Sequence, residues 1–156
     1  MSAGSAFLLF NQAALVAWLV LAAGVLLRNV WLVGTLAGRV VPFLFSVAYA
    51  TLIAMSWGSA EGGFSSLAGV RSLFQSDWLL LAGWVHYLAF DLFVGSWIAR
   101  TVLETRMNRL LFVAILPLTF MFGPVGFATF EIARALRTAT SATRQVETTT
   151  PSTGGV

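Results

Sequence analysis

The sequence lacks cysteine and lysine altogether, and it has a single histidine in 156 residues. Without cysteine, disulfides, thiolate nucleophiles and cysteine-based metal sites are excluded. One histidine excludes a multi-histidine metal site within the chain, so no metal is expected. Charged residues make up only 10% of the chain, compared with about 25% in soluble domains. With 58% hydrophobic residues, this deficit indicates a membrane protein.

The positive charge comes from arginine alone, which supplies all nine basic residues of a chain with net charge +3. A high pI can indicate a nucleic-acid partner. These arginines are instead scattered near the ends of apolar runs and form no cluster. We therefore expect no nucleic acid to bind, and we expect the arginines to anchor the chain at membrane interfaces.

Four apolar runs are long enough for a membrane-spanning helix. They predict helices over residues 7–27, 38–57, 78–101 and 110–135. The first run has no basic residue before it, so we expect a retained helix rather than a signal peptide. The predicted fold is all-α: a four-helix transmembrane bundle over residues 1–137 and a disordered Ser/Thr-rich tail over residues 138–156.

The connections between the runs are polar and short. The longest, rich in Gly and Ser, is expected to hold a short interfacial helix over Phe64–Phe74. With four spans, both termini lie on one side of the membrane, where four arginines lie, and five lie at the hairpin loops. An excess of one arginine predicts cytoplasmic hairpin loops.

A histidine and an aspartate lie in the apolar stretch "GWVHYLAFDLFVGSW", namely His86 and Asp91. Both fall near the middle of the predicted third helix, where a charge costs several kcal/mol. Five residues place them about 140° apart around the helix, whereas Tyr87, four residues before Asp91, can reach it. They either bond neighbouring helices together or form a functional site. A proton pathway is a further possibility, although one histidine and one aspartate make a short relay.

The fourth run contains Pro117 and Pro124, which deprive the carbonyls of Val113 and Phe120 of their helical partners. The result is either a kinked packing helix or a bent wall whose free carbonyls line a pocket. Aromatic residues make up 13% of the chain and form either a belt with packing contacts or a pocket for a long apolar ligand. In the pocket interpretation the ligand-binding residues are Trp84, Tyr87, Gly95, Trp97, Phe122, Pro124 and Gly126.

Several of these residues are expected to face other helices. They are Gly83, His86, Asp91, Pro124 and Gly126, because exposing His86 or Asp91 to lipid would be costly. Asn11 and Gln12, in the first run, are expected to cap locally or to bond between helices. Glu131 is expected to lie near Arg134.

The pattern of Trp84, His86, Asp91, Leu92 and Phe93, followed by "FGPVG" from Phe122, resembles the abscisic-acid-deficient membrane protein family. The resemblance covers about residues 8–136. Plant members are required for neoxanthin synthesis, and the family has many bacterial members. This sequence departs from the family pattern because it lacks a proline in its first helix. The resemblance implies a protein of the bacterial inner (cytoplasmic) membrane.

In chemical terms, the resemblance implies binding of a carotenoid or related isoprenoid lipid and its isomerisation without a cofactor. Opening an epoxide to an allenic alcohol needs an acid at the oxygen and a base for a vinylic proton. A protonated Asp91 suits the acid and a neutral His86 suits the base, and the reverse assignment is open. The alternative is a non-enzymatic membrane assembly or lipid-binding protein. Whether the chain is an enzyme, and its oligomeric state, stay open.

Overall fold

The computed structural model describes residues 1–149, with their side chains except those of residues 111 and 141–149. These residues form an all-α structure. A π-helical segment, Leu32–Val40, leads directly into the second α-helix, and a 3₁₀ turn, Trp57–Ser59, follows that helix. The α-helices are α1 (Ala3–Leu26), α2 (Val41–Ser56), α3 (Leu67–Leu73), α4 (Asp77–Glu104), α5 (Arg109–Met121) and α6 (Gly123–Thr149).

Three helical segments are long and apolar enough to cross a membrane: Ala3–Leu26, Leu32–Ser59 and Asp77–Glu104. They confirm helices at the first three predicted runs. The interfacial helix predicted between the second and third runs is also present, as the short α3. Its N-cap Ser66 accepts a hydrogen bond from the Gly69 N–H group at 3.0 Å.

The second of these segments begins at Leu32, six residues before the predicted start, and its first part is π-helical. Residues 32–37, predicted in a connection between two spans, therefore lie inside the helix. The wide turn places Gly38 directly against α4, where a Cβ atom would lie 2.9 Å from Ser96 Oγ and 2.8 Å from the Val33 carbonyl oxygen. The absent side chain lets the second segment approach α4 closely.

The fourth apolar run is two helices joined at Phe122, which leaves the helical conformation (φ −143°, ψ 62°). Thr119 and Gly126, on either side of this residue, lie against each other. A Cβ atom at position 126 would lie 2.5 Å from the Thr119 Cα atom. In a straight helix these two Cα atoms would be about 10 Å apart, since each residue rises 1.5 Å. Helices α5 and α6 therefore form an antiparallel hairpin.

Contacts with α4 fix the direction of each arm of this hairpin. Gly123 lies at Asp91, whereas Phe127 packs on Trp97, six residues further along α4. Helix α6 thus runs parallel to α4. Helix α5 begins at Arg109, beside the C-terminal end of α1. The hairpin therefore starts at that end of the protein, reverses beside the middle of α4, and returns to the same end.

The predicted single fourth span over residues 110–135 is therefore not confirmed, because this run is two helices in the structure. Its sequence is apolar enough for a span, but Gly123 and Pro124 interrupt the backbone hydrogen bonds next to Phe122 and allow reversal. Non-helical backbone at membrane depth is tolerated where protein groups satisfy it. The chain thus has three helices of spanning length and a re-entrant hairpin.

Helix α6 also extends further than the predicted span. It continues to Thr149, whereas a disordered tail was predicted from residue 138. The Thr138 and Thr140 hydroxyl groups donate to the carbonyl oxygens of Arg134 and Leu136, one helical turn earlier, so the polar side chains do not interrupt the helix. The remainder of the predicted tail, residues 150–156, lies outside the described residues.

The hairpin changes the distribution of arginine between the two ends of the protein. Arg134 lies eleven residues after Gly123, so it is about 16 Å from the reversal, toward the end where α5 begins. Arg71, in α3, lies at the opposite end. Among the side chains that the structure describes, the arginine-rich end, as we define it, contains seven arginines, namely Arg28, Arg39, Arg100, Arg106, Arg109, Arg134 and Arg137.

Candidate functional site at the tip of the re-entrant hairpin

The tip of the hairpin leaves two carbonyl groups without helical partners, and α4 supplies a donor for them. The Tyr87 hydroxyl group donates to the carbonyl oxygens of Met121, at 2.8 Å, and Phe120, at 3.2 Å. The Phe120 carbonyl is one of the two that proline was predicted to free. Tyr87 therefore caps the C-terminal end of α5.

Asp91 performs the matching role at the start of α6. Its carboxyl group faces the Gly123 backbone N–H group, and any Cβ atom at position 123 would collide with it. The carboxyl group is also within interaction range of the Tyr87 hydroxyl. Asp91 is 8% exposed, and its Oδ2 atom has no hydrogen-bond partner among the described residues. One acidic group is therefore held, incompletely satisfied, at the positive end of a helix.

Beside this pair is a cavity of about 360 Å³, which we call the tip cavity. Its walls come from α1, α4 and the end of α5. Trp84 Nε1 donates to Asn11 Oδ1 at 2.7 Å, which joins α1 to α4 across the cavity. The lining residues are Asn11, Gln12, Leu15, Trp84, Tyr87, Leu88, Phe120 and Met121.

A second groove, of about 580 Å³, lies on the other side of the same two aromatic residues. Trp84 and Tyr87 stack with ring centroids 5.2 Å apart, and Phe7 packs 5.7 Å from Trp84. We call this the outer groove. It extends toward the N-terminal end of α4, where Asp77 and Phe74 line it. The two spaces share Trp84 and Tyr87 in their walls, and we call them together the aromatic channel.

His86 is not part of this site. It lies on the opposite side of α4, is exposed, and packs between Tyr49 (5.3 Å between ring centroids) and Phe90 (4.7 Å). His86 was expected to face other helices. One face of its ring does so, against Tyr49 of α2, but the side chain is exposed. Its position follows from the separation of about 140° along α4, which sends His86 and Asp91 to different neighbours.

The other predicted site residues surround the tip but do not all line the cavity. Gly126 is buried against Thr119, whereas Phe122 and Pro124 are exposed at the reversal. The expectation that Pro124 faces other helices is therefore wrong, because the hairpin turns it outward.

Two further predicted residues pack against helices. Gly95 receives the Trp18 indole, whose Cη2 atom would lie 2.5 Å from a Cβ atom at position 95. Trp97 packs on Phe127 and Phe130, with ring centroids 5.7 and 5.9 Å away. In this structure a partner helix, rather than a cavity, occupies the space beside each of them.

Asn11 and Gln12 line the tip cavity but were not predicted as site residues. Asn11 was expected to cap locally or to bond between helices, and its hydrogen bond with Trp84 confirms the second alternative. Gln12 is exposed and makes no hydrogen bond within the described residues. The signal was present, because these are the two amides of an otherwise apolar run.

The site therefore offers amide, indole and phenol groups along an apolar channel, with one buried carboxyl group behind Tyr87. Among the described residues there is no group of three or more His, Asp or Glu side chains that could hold a metal ion. Such a site is suited to an elongated apolar molecule with a hydrogen-bonding end group.

These features define a polytopic membrane protein with three helices of spanning length and a re-entrant hairpin. The chain belongs to the ABA DEFICIENT 4-like family, whose model matches residues 5–130, from α1 to the first turns of α6. The matched region includes every residue of the tip cavity. No curated protein and no solved structure matches the chain.

Proposed function

We propose that the protein binds a carotenoid or related isoprenoid lipid in the aromatic channel, with the polar end group of the ligand in the tip cavity. The membrane in question is the bacterial cytoplasmic membrane. The observation that carries the proposal is Gln12, an exposed amide without a partner among the described residues, beside a channel lined by Phe7, Trp84 and Tyr87. An unpaired amide at membrane depth is costly unless a ligand or water bonds to it.

The shape of the channel matches this class of ligand. A polyene chain can lie along the aromatic rings of the outer groove, while a hydroxyl group on its end ring reaches the amides of Asn11 and Gln12. The Asn11 side-chain oxygen already accepts from Trp84, but its NH₂ group has no acceptor among the described residues. A ligand oxygen would satisfy that donor.

If the channel also isomerises an epoxide, as the family resemblance implies, the residues at hand are Tyr87 and Asp91. Asp91 gives a proton through the Tyr87 hydroxyl to the epoxide oxygen as the C–O bond breaks. The proton of the vinylic carbon returns to the carboxylate by the same route, and the allene forms without net gain or loss of atoms. His86, predicted as the partner of Asp91, has no place in this sequence of steps because it lies on the other side of α4.

The non-enzymatic alternative has an observation of its own. Tyr87 and Asp91 satisfy the two helix ends at the hairpin reversal, which is a structural task complete without any ligand. In that case the channel holds a lipid and no reaction follows.

The test of binding is retention of pigment by the purified protein. The chain is expressed in a host that makes hydroxylated carotenoids, purified in mild detergent, and analysed by absorption and chromatography. We expect one pigment per chain, with retention reduced about two- to tenfold by Gln12→Leu, since a hydrogen bond contributes about 0.5–1.5 kcal/mol. Because Gln12 bonds to no described residue, the melting temperature should not change.

Thr51→Val is the matched control. Thr51 is also exposed on a spanning helix, but on α2, and its hydroxyl group donates to the Val47 carbonyl of its own helix. It should retain pigment like the unmodified chain. Loss of pigment in both variants, or no pigment with the unmodified chain, would refute carotenoid binding in the channel.

A further inference from the structure

The two long helices that end at the arginine-rich end, α1 and α4, stop in the same way. Each is followed by an arginine in the left-handed conformation, Arg28 with φ 56° and Arg106 with φ 52°. In each case the N–H group of the next residue bonds to a carbonyl five residues earlier, at 2.8 Å from Asn29 and at 3.1 Å from Met107. Among the described residues, these two arginines are the non-glycine residues with positive φ.

Glycine is the favoured residue at this position after a helix, because a Cβ atom strains the left-handed conformation. Arginine has no backbone advantage there. The strain is accepted at two independent helix ends, which indicates that both side chains contribute something that glycine cannot.

Both side chains border one small cavity of about 180 Å³. Arg109, at the start of α5, is the third arginine in its wall. No carboxylate lines it. The full lining is Arg28, Val30, Val102, Leu103, Arg106, Met107 and Arg109. We call this the three-arginine pocket.

The guanidinium groups are largely without partners. Arg109 Nη1 donates to the Leu26 carbonyl oxygen at 2.7 Å, at the end of α1. Arg28 and Arg106 make no side-chain hydrogen bond or ion pair with the described residues. Among those residues, the salt bridge joins Arg134 and Glu131, at 2.6 Å.

Helix dipoles do not balance this charge. The C-terminal ends of α1 and α4 each contribute about half a negative charge, and the N-terminal end of α5 contributes about half a positive charge. Against three guanidinium groups, a surplus of roughly two and a half positive charges is left. One arginine is enough to neutralise the partial charges of the helix ends. The positive charge of the other two arginines would be balanced by a bound anion.

We propose that the three-arginine pocket binds the phosphate group of an anionic ligand, with the headgroup of an anionic membrane lipid as the source that its position favours. The pocket lies at the ends of spanning helices, where lipid phosphates lie, and Leu27 and Val30 beside it are exposed for contact with acyl chains. Its volume equals that of about six water molecules, enough for the five heavy atoms of a phosphate and part of its ester. Arginine is the side chain best matched to phosphate geometry.

The test measures binding of short-chain phosphatidylglycerol to the full chain in neutral detergent by titration calorimetry, with short-chain phosphatidylcholine and inorganic phosphate as parallel probes. The informative variant is Arg28→Gly together with Arg106→Gly. We expect phosphatidylglycerol to bind about 25-fold more weakly, at roughly fivefold for each basic residue near a membrane surface. The melting temperature without lipid should stay equal or rise, because glycine relieves the strain at both helix ends.

The matched control is Arg39→Gln together with Arg100→Gln. It removes the same charge from the same end of the protein, but from a different cavity that Glu104 also lines. It should keep nearly the original affinity. If inorganic phosphate binds as tightly as phosphatidylglycerol, the result supports an anion site in the pocket and identifies its ligand as a soluble phosphate. Unchanged phosphatidylglycerol affinity in the glycine variant, or an equal loss in the control, would overturn the proposal.

Discussion

The close packing of α5 against α6 makes Gly126→Ala a severe test of the re-entrant hairpin. The added Cβ atom would lie 2.5 Å from the Thr119 Cα atom and 2.7 Å from its Cβ atom. Because one of these neighbours is backbone, no rotamer change can relieve the collision, and the two helices must separate. Inserting a methyl group into packed structure costs about 1–3 kcal/mol, and the upper end applies here.

A second effect has the opposite sign, since alanine is favoured over glycine inside a helix by about 1 kcal/mol. The net expectation for Gly126→Ala is a free energy of unfolding lower by about 2 kcal/mol. For a chain of this size that corresponds to a melting temperature about 4–8 °C lower.

The assay is thermal unfolding of the purified protein in detergent, followed by circular dichroism. Gly58→Ala is the control, because a Cβ atom at position 58 would meet no atom within 4 Å. It should change the free energy of unfolding by less than about 0.5 kcal/mol. If Gly126→Ala were as silent as Gly58→Ala, the two arms would not be packed as described, and a fourth span would have to be reconsidered.

Three further predictions concern α4 and the ends of the bundle. Gly95→Ala should lower the melting temperature by a few degrees, and Trp18→Phe in the same chain should recover part of the loss; no recovery would mean that the indole does not fill the space above Gly95. In cells, a membrane-impermeant maleimide should label Ser66→Cys and leave Thr105→Cys unlabelled, because the arginine-rich end is expected in the cytoplasm. The reverse labelling pattern would contradict that orientation. Asp91→Asn should keep nearly the full melting temperature but abolish any isomerisation of an epoxy-carotenoid, whereas a melting temperature that falls together with product would leave only the capping role.

The first three spans could be predicted from the sequence because uninterrupted apolar length is a direct consequence of membrane thickness. The relation between Tyr87 and Asp91 was also predictable, as four residues place two side chains on one face of a helix. The ion pair of Glu131 with Arg134, three residues apart, follows from the same helical periodicity and is confirmed at 2.6 Å.

The hairpin was not predictable in the same way. A straight fourth helix and a reversed one have the same apolar sequence, and "FGPVG" permits either a kink or a turn. What distinguishes them is tertiary: Thr119 can approach Gly126 only if the chain reverses, and Tyr87 then finds the carbonyls of Met121 and Phe120 within reach. Composition carries no information about that contact.

The hairpin also changes the meaning of the arginine distribution. With four spans, the two ends of the protein carry nearly equal numbers of arginine, and the charge rule hardly favours either orientation. With the reversal at Phe122, seven of the arginines with described side chains lie at one end and Arg71 lies at the other. The positive-inside rule then gives a clear prediction that the arginine-rich end faces the cytoplasm. One backbone reversal, invisible in the hydropathy pattern, thus affects both the candidate site and the expected orientation.

The same reversal explains why an aspartate lies in the middle of an apolar helix. A hairpin tip at membrane depth exposes carbonyl groups at the end of one helix and N–H groups at the start of the next, so it needs both a donor and an acceptor from a neighbour. Tyr87 is that donor and Asp91 that acceptor. An asparagine at position 91 could accept the same hydrogen bond without carrying a charge, so capping alone does not require a carboxyl group. The Oδ2 atom, buried and without a partner among the described residues, is the part of Asp91 that the structural role leaves unused.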